Sequence, residues 1–332
     1  MASIKTITKE CMATAEPLVS ILMAVYHPRR DWLIEQLDSL NAQTYSHLEL
    51  IICDDGPDAP VEEDIFKEHI TAFPWRMIRN VENMGSNRSF EKLTVLAEGD
   101  FFCYCDQDDV WLPEKTEKLL QTLQKEEATL VCSDMFIIDE QGKKVADSIV
   151  KIRRHHVFRS GTGLTDTLWY SNFASGCALI APAALAKASV PFNPYMYYDH
   201  YITLFCANEG KVVSLSEPLL LHREHGSNQS SVLQGVTDRE SYYRIRVDKP
   251  ASAVIWLEEY FPADEKLKST LAQGREWLEA RRDYSRGKRD CWRAIWRYRR
   301  FSIKATLLEL AMPYLPLFVL RFFYWLSRNN YI

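Results

Sequence analysis

The segment GDFFCYCDQDDVWLPEKTEKLL, Gly99 to Leu120, decides the fold and points to the chemistry. Glu98-Gly99-Asp100 is a turn signal, and Phe101 to Cys105 is a short apolar run of the kind that forms a buried strand. Three carboxylates, Asp106, Asp108 and Asp109, follow at the end of that strand. Pro113 and Glu114 then open an amphipathic helix with Leu119 and Leu120 on its inner face. Three acids so placed repel one another and resist burial unless a cation sits among them. Mg²⁺ and Mn²⁺ take oxygen ligands and commonly sit between one or two carboxylates and substrate phosphates. On spacing alone, a solvated acidic turn capping the helix is the competing reading.

Upstream, Leu18 to Val25 reads as a buried strand ending at Tyr26-His27-Pro28. A helix follows with Trp32, Leu33, Leu37 and Leu40 on one face. A second strand, Leu48 to Cys53, ends in Asp54-Asp55-Gly56. Apolar strands separated by helices predict an α/β chain with a parallel sheet of doubly wound type. Ligands bind such sheets at the carboxyl ends of the strands. Tyr26, Asp54 and Asp55, and the run Asp106 to Asp109 all fall there, which points to one site built from three loops.

A helix near Val61 to Phe73 and a strand around Arg76 to Ile78 are expected next. Asn83 to Arg88 turns into a helix, Ser89 to Ala97. Its first amides and Arg88 either face an anion or form an ordinary cap. Thr129 to Cys132 is a strand, Phe136 to Asp139 a strand or turn, and Gln141 to Lys144 a hairpin-like loop. Ser175 to Ile180 reads as a strand begun by small residues. Asp199 lies in the first turn of a helix running from Tyr195 to Ala207, where the dipole favours a carboxylate whether or not it has a further role. Lys211 to Val213 is a short strand, and Leu219 to Leu221 leads into His222-Arg223-Glu224-His225.

The chain has 332 residues, 47% of them hydrophobic, enough for one large domain or a domain with an appendage. A net charge of −5 gives no sign of a nucleic-acid partner. Met1 to Glu16 lacks a continuous apolar core, so a loose leader without a signal peptide is expected. The eight cysteines are scattered, without C-x-x-C, and read as reduced core thiols. His155-His156, after Lys151, Arg153 and Arg154, is either a solvated loop or a phosphate-facing lid.

From about Pro17 to Asn228 the chain resembles the family-2 glycosyltransferases with the GT-A fold. The motifs run in order: VSILMAVYHP, LELIICDDG, Asn83 to Gly85, GDFFCYCDQDDVWLPEK, SGCALI, YDHYITLFCANEGKV and LHREHGSN. The later ones are most similar to a rhamnosyltransferase-like branch, with departures at Tyr198, His200-Tyr201 and His222. The resemblance implies a mostly parallel central sheet flanked by helices, a nucleotide-sugar donor and a divalent cation, Mg²⁺ or Mn²⁺. It implies that Asp55 and Tyr26 contact the base and that Asp106 lies near the ribose. It further implies that Asp108 holds the metal, with Asp109 orienting both, and that Asp199 is the general base. His225 would close over the diphosphate or metal with Arg223 beside it. The reaction implied is inverting transfer of a sugar, rhamnose among the candidates, to a hydroxyl of a lipid-linked glycan or glycolipid. A nucleotidyltransferase would instead carry a Gly-rich basic loop where Tyr26-His27-Pro28 stands. A non-catalytic nucleotide-sugar-binding module would not need Asp106, Asp108 and Asp199 together.

The catalytic region is therefore expected over residues 17–235 and a helical, basic and aromatic region over 236–332. Between Arg281 and Arg300 nine Lys/Arg face two acids, interleaved with Trp292, Trp296 and Tyr298. Beyond them, Leu310 to Leu320 is an uncharged stretch of 11 residues broken by Pro313 and Pro316. A spanning helix needs about 17–25 residues, so this profile suits an interfacial segment at the cytoplasmic face of a membrane. A helical pack or a homodimer contact is the alternative, and a cut after Ala280 is expected to free the tail.

Overall fold

The computed structural model describes residues 16–153, 156–226 and 235–328; most of the leader, Arg154-His155 and the end of the LHREHGSN motif lie outside the described residues. The chain divides into two compact units. The first holds residues 1–164, Asn172–Phe192 and Tyr197–His225, and the second holds Thr165–Ser171, Asn193–Met196 and everything from Gly226. Two short segments from inside the expected catalytic range thus belong with the C-terminal helices.

The first unit is built on nine strands: β1 (Val19–Val25), β2 (Leu48–Asp54), β3 (Trp75–Arg79), β4 (Phe101–Cys105), β5 (Val110–Trp111), β6 (Leu130–Ile138), β7 (Lys144–Ala146), β8 (Leu179–Pro182) and β9 (Val212–Arg223). Their order is β3-β2-β1-β4-β8-β6-β9-β5, with β7 on β6. The first four are the parallel sheet that the sequence implies. Beyond β4, β8 enters antiparallel to both β4 and β6, and β9 returns parallel to β6. All five residues of β4 are buried, because helices cover both faces of the sheet there. Helix α1 (Arg30–Asn41) contributes Leu33, Leu37 and Leu40 to the core on one face, and α2 (Glu63–His69) adds Ile65 and Phe66. Helices α3 (Ser86–Leu96) and α4 (Lys115–Lys125) follow, the latter burying Leu119, Leu120 and Leu123.

Three expectations change. Ser175 to Ile180 is a 3-10 turn at Gly176–Ala178 followed by β8, since Gly176 must pass close beneath a tyrosine. The helix expected from Tyr195 is α5 (Tyr198–Glu209), because Asn193 to Met196 departs into the second unit. The two short strands near Val212 and Leu220 are one strand. Pro218, which cannot donate to a ladder, is absorbed at a register shift opposite Asp134.

The second unit is helical. Arg239–Tyr243, a π-turn Arg244–Asp248 and α6 (Lys249–Tyr260) run on continuously, followed by α7 (Glu265–Ser285), a short helix Trp292–Arg297, α8 (Ile303–Ala311) and α9 (Leu317–Arg328). At its centre Arg281 and Glu309 are both fully buried. Arg281 donates through Nε at 2.8 Å and Nη2 at 2.5 Å to the Glu309 carboxylate, which also accepts from the Tyr242 hydroxyl at 2.9 Å. The Trp277 ring lies 4.0 Å from the same guanidinium. Arg281 is therefore an internal strut, and a cut after Ala280 would sever α7 and orphan Glu309.

A buried pair broken on one side leaves an uncompensated charge. Arg281→Ala is expected to destabilise the protein by about 3–5 kcal/mol. Arg281→Met combined with Glu309→Leu should recover most of that loss in urea unfolding curves.

Candidate active site

Register sets the site. Val25 pairs with Asp54 and Met23 with Cys105, so the chain leaves β1, β2 and β4 along one edge of the sheet. Leaving β1, Tyr26 is 46% exposed and stacks on His27 at 4.1 Å between ring centroids. His27 is held at φ +42° with its ring 2.9 Å from Asp58. The Gln107 side chain reaches across from the acidic loop, accepting from Tyr26 N–H at 2.8 Å and donating to its carbonyl at 3.1 Å. This clamp ties the β1 and β4 loops together.

At the end of β2, Asp54 and Asp55 do different things. Asp54 accepts from the amides of Gly56 and Val61 and shapes the local turn. Asp55 accepts from Asn80 at 2.7 Å and from the amides of Met84 and Gly85 at 2.8 Å each. Its carboxylate therefore organises the Asn83–Gly85 loop. Gly85 sits at φ +79°, a left-handed conformation in which a side chain would be strained, and immediately precedes α3. Arg88 is exposed in the first turn of that helix.

The acidic loop divides by partner. Asp109 is fully buried, accepting from His222 Nδ1 at 2.8 Å and from Arg223 N–H at 3.1 Å. Burial alone would raise the Asp109 carboxyl, but the attraction and hydrogen bond of His222 outweigh it and hold it below its ordinary range. Burial would likewise lower His222, yet the same partner pushes the imidazole up to about 9. Asp109 and His222 are an internal ion pair. Among the described residues Asp106 has no such ion-pair partner. Burial, then the charges of Asp109 and Asp108, push it up to about 8. Asp108 is raised too, by burial and by Asp109, against the opposing pull of His225, whose Nε2 lies 2.8 Å from its Oδ2.

This electrostatic pattern tests where a divalent cation fits. The cluster Asp109, Cys177 and His222 brings its ligand atoms within 4.8 Å of one another, but burial holds the Cys177 thiol protonated and Asp109 and His222 already neutralise each other. Asp106 and Asp108 are the two acids whose protons are held by burial and mutual repulsion, a cost that a cation would relieve, and the His225 ring nitrogen lies beside Asp108. Asp108, with the His225 ring nitrogen 2.8 Å from its Oδ2, has the donor chemistry that suits a cation, and Asp106 stands two residues away in the same loop.

Arg223 stands elsewhere than the resemblance implies. Its side chain is 1% exposed and donates to the carbonyls of Asp108 at 3.0 Å and Asp139 at 3.3 Å, and to Glu35. Trp32, 5.1 Å from the Arg223 guanidinium, also lies 4.8 Å from the His225 ring. Arg223 is thus a positioning residue that fixes the acidic loop from behind.

Asp199 accepts from the amides of His200 at 2.6 Å and Gly176 at 3.2 Å. Burial nevertheless raises it to about 6, and its charge contributes to the raised value of Asp106. The Asp199 charge therefore reaches the acidic loop. A Cβ on Gly176 would lie 2.0 Å from the Tyr198 hydroxyl, so only glycine permits this approach.

Gln107, Lys115, Glu35 and Trp32 also take part, Trp32 as more than the core residue that its helical spacing implies. Lys115 is fully buried with Nζ 3.0 Å from the Trp111 ring centroid, and desolvation lowers it. Its place in the DVWLPEK segment was the available signal. Glu35 and Trp32 carry none, because they reach the site through the tertiary fold alone.

The model for glycosyl transferase family 2 matches residues 20–187, about half of the chain. The chain belongs to glycosyl transferase family 2. Among the family's curated members, it is 32% identical over 129 residues to the uncharacterized glycosyltransferase MJ1057 of Methanocaldococcus jannaschii, a match covering 38% of this chain and 44% of that protein. It is 30% identical over 135 residues to the putative glycosyltransferase EpsH of Bacillus subtilis, covering 41% and 39%. The chain thus spans less than half the length of either relative. Its fold is similar to that of S. aureus TarS 1–349 in complex with UDP-GlcNAc, with a TM-score of 0.56 and 16% identity over 78% of this chain and 72% of that one.

A cation held by few protein ligands loses affinity steeply when one carboxylate goes. Asp108→Ala is expected to weaken Mn²⁺-dependent binding of a nucleoside diphosphate by at least about tenfold. Calorimetric titration checks this, and an unchanged affinity would place the metal elsewhere.

Proposed function

We propose that the chain is an inverting, metal-dependent glycosyltransferase that moves a sugar from a nucleotide-sugar to a hydroxyl of a lipid-linked surface polysaccharide. The observation that supports this reading is the placement of Asp199 in the first turn of α5, held by the amides of His200 and Gly176 and raised by burial to about 6, with its charge reaching Asp106 of the acidic loop. A base with that value is ionised at neutral pH and still able to take a proton. In the proposed step the acceptor oxygen bonds to the anomeric carbon from the face opposite the diphosphate. The bond from that carbon to the diphosphate oxygen breaks, and the acceptor proton passes to Asp199. The cation held by Asp108, His225 and Asp106 would supply neutralisation of the departing diphosphate. Tyr26 offers an exposed face for the base. Asp55 shapes the loop beside it and keeps part of its acceptor capacity for the base. Arg88 lies free to meet an anion at the start of α3. The motifs of the rhamnosyltransferase-like branch make nucleotide-linked rhamnose the first donor to try, and the TarS complex makes UDP-GlcNAc the second.

Transfer of radiolabel from a panel of nucleotide-sugars tests the reading, and release of pyrophosphate from a nucleoside triphosphate would favour a nucleotidyltransferase instead. Asp199→Asn is expected to keep donor binding and to lower turnover by about 10²–10⁴. The wild-type rate should fall as pH drops through about 6, because the protonated Asp199 carboxyl cannot accept a proton. A near-normal rate in the variant would move the base elsewhere.

We place this reaction at a membrane surface, which would be the inner face of the cell membrane. No helix among the described residues is long and apolar enough to cross a membrane. The second unit instead exposes Phe318 at 74%, Phe322 at 58% and Trp325 at 52% on α9, with Tyr314 at 75% just before it. Such exposed aromatics beside a basic surface suit interfacial attachment. Replacing Phe318, Phe322 and Trp325 by serine should abolish co-sedimentation with anionic vesicles at high salt. If the wild type itself stays in the supernatant, the face packs against protein.

A further inference from the structure

The second unit contains a cavity unrelated to the acidic loop. Its volume is about 440 Å³, and four arginines, Arg239, Arg244, Arg282 and Arg286, line it with only Glu240 and Asp248 as acids. Asp248 is already engaged, accepting from Arg282 Nε at 2.6 Å. Among the described residues neither Arg244 nor Arg286 has a carboxylate within salt-bridge distance, and both are exposed. The buried Nε of Arg239 has no hydrogen-bond partner among the described residues, while its Nη2 donates to the carbonyl of Leu315. The lining therefore carries a net surplus of two positive charges and an unused buried donor.

Local backbone chemistry explains why the arginines gather. Pro250 has no N–H to offer the carbonyl of Arg246, and its ring crowds that carbonyl. The helix responds with the π-turn Arg244–Asp248, in which Lys249 N–H bonds to the carbonyl of Arg244, five residues back. Such wide single turns are rare and occur often at functional sites. Here the turn supplies Arg244 and Asp248 to the cavity wall, while Arg282 and Arg286, one turn apart, are supplied from the end of α7.

We infer that this cavity binds a phosphate group, as the free ion or as a monoester. Arginine forks match phosphate oxygens in pairs, and charge-assisted bonds of this kind are the stronger hydrogen bonds in proteins. None of its lining residues is among those assigned to donor binding or among the exposed aromatics of α9. Its ligand is either free phosphate or the headgroup of an anionic lipid.

Calorimetry on the full-length protein distinguishes these. Inorganic phosphate is one arm, and dihexanoyl phosphatidic acid below its micelle concentration is the other. Binding in both arms identifies the phosphate group as sufficient, and binding of the lipid alone identifies the headgroup. Arg244→Gln with Arg286→Gln, which leaves every described hydrogen bond of the unit intact, should weaken binding at least about tenfold. Glu240→Gln, which removes an exposed lining acid, should tighten it by about threefold. Binding in neither arm, or affinities unchanged in both variants, would overturn the proposal.

Discussion

The ion pair between Asp109 and His222 governs the rest of the site. It joins the loop after β4 to the end of β9, two strands separated in the sheet by β8 and β6. Without it the acidic loop would carry three unshielded carboxylates, and with it one is neutralised internally. Asp106 and Asp108 are left outside that pair, Asp108 beside His225. Arg223, the next residue along β9, adds the second tie by bonding the Asp108 carbonyl. The same strand end thus both neutralises one acid and fixes the backbone of another.

Much of this arrangement is legible in the chain. Apolar runs ending in Tyr26, Asp55 and Asp106 identify three strand ends, and a parallel register must bring them to one edge. The family motifs locate Asp199 and His225. What the sequence does not carry is which partner each polar group chooses. Arg223 in an HREH run looks like a phosphate ligand, yet Glu35 and two carbonyls satisfy it from behind. Asp55 looks like a direct ligand, yet its first duty is to hold two amides of the following loop. Such choices depend on distances between segments far apart in sequence, and local pattern is silent on them.

The basic block shows the same limit from the other side. Counting Lys and Arg between residues 281 and 300 treats them as one surface. The fold sorts them: Arg281 is sealed against Glu309, Arg282 is paired with Asp248, and Arg286 is exposed beside a cavity. Charge composition therefore describes the region, while burial decides which charges a ligand or membrane can meet.

The interleaving of the two units bears on how the chain can fold as it leaves the ribosome. The polypeptide passes from one unit to the other five times, at 164/165, 171/172, 192/193, 196/197 and 225/226. Trp169 is made early, but the surface that receives it includes Gly274 and Phe301. At about 5–20 residues per second, the hundred residues between Trp169 and Gly274 take roughly 5–20 s to synthesise. During that interval a large apolar ring stands without its socket, although the last strand of the sheet, β9, has already been made. Because Thr165–Ser171 and Asn193–Met196 belong to the second unit, a single cut at 225/226 would not divide the chain into its two units.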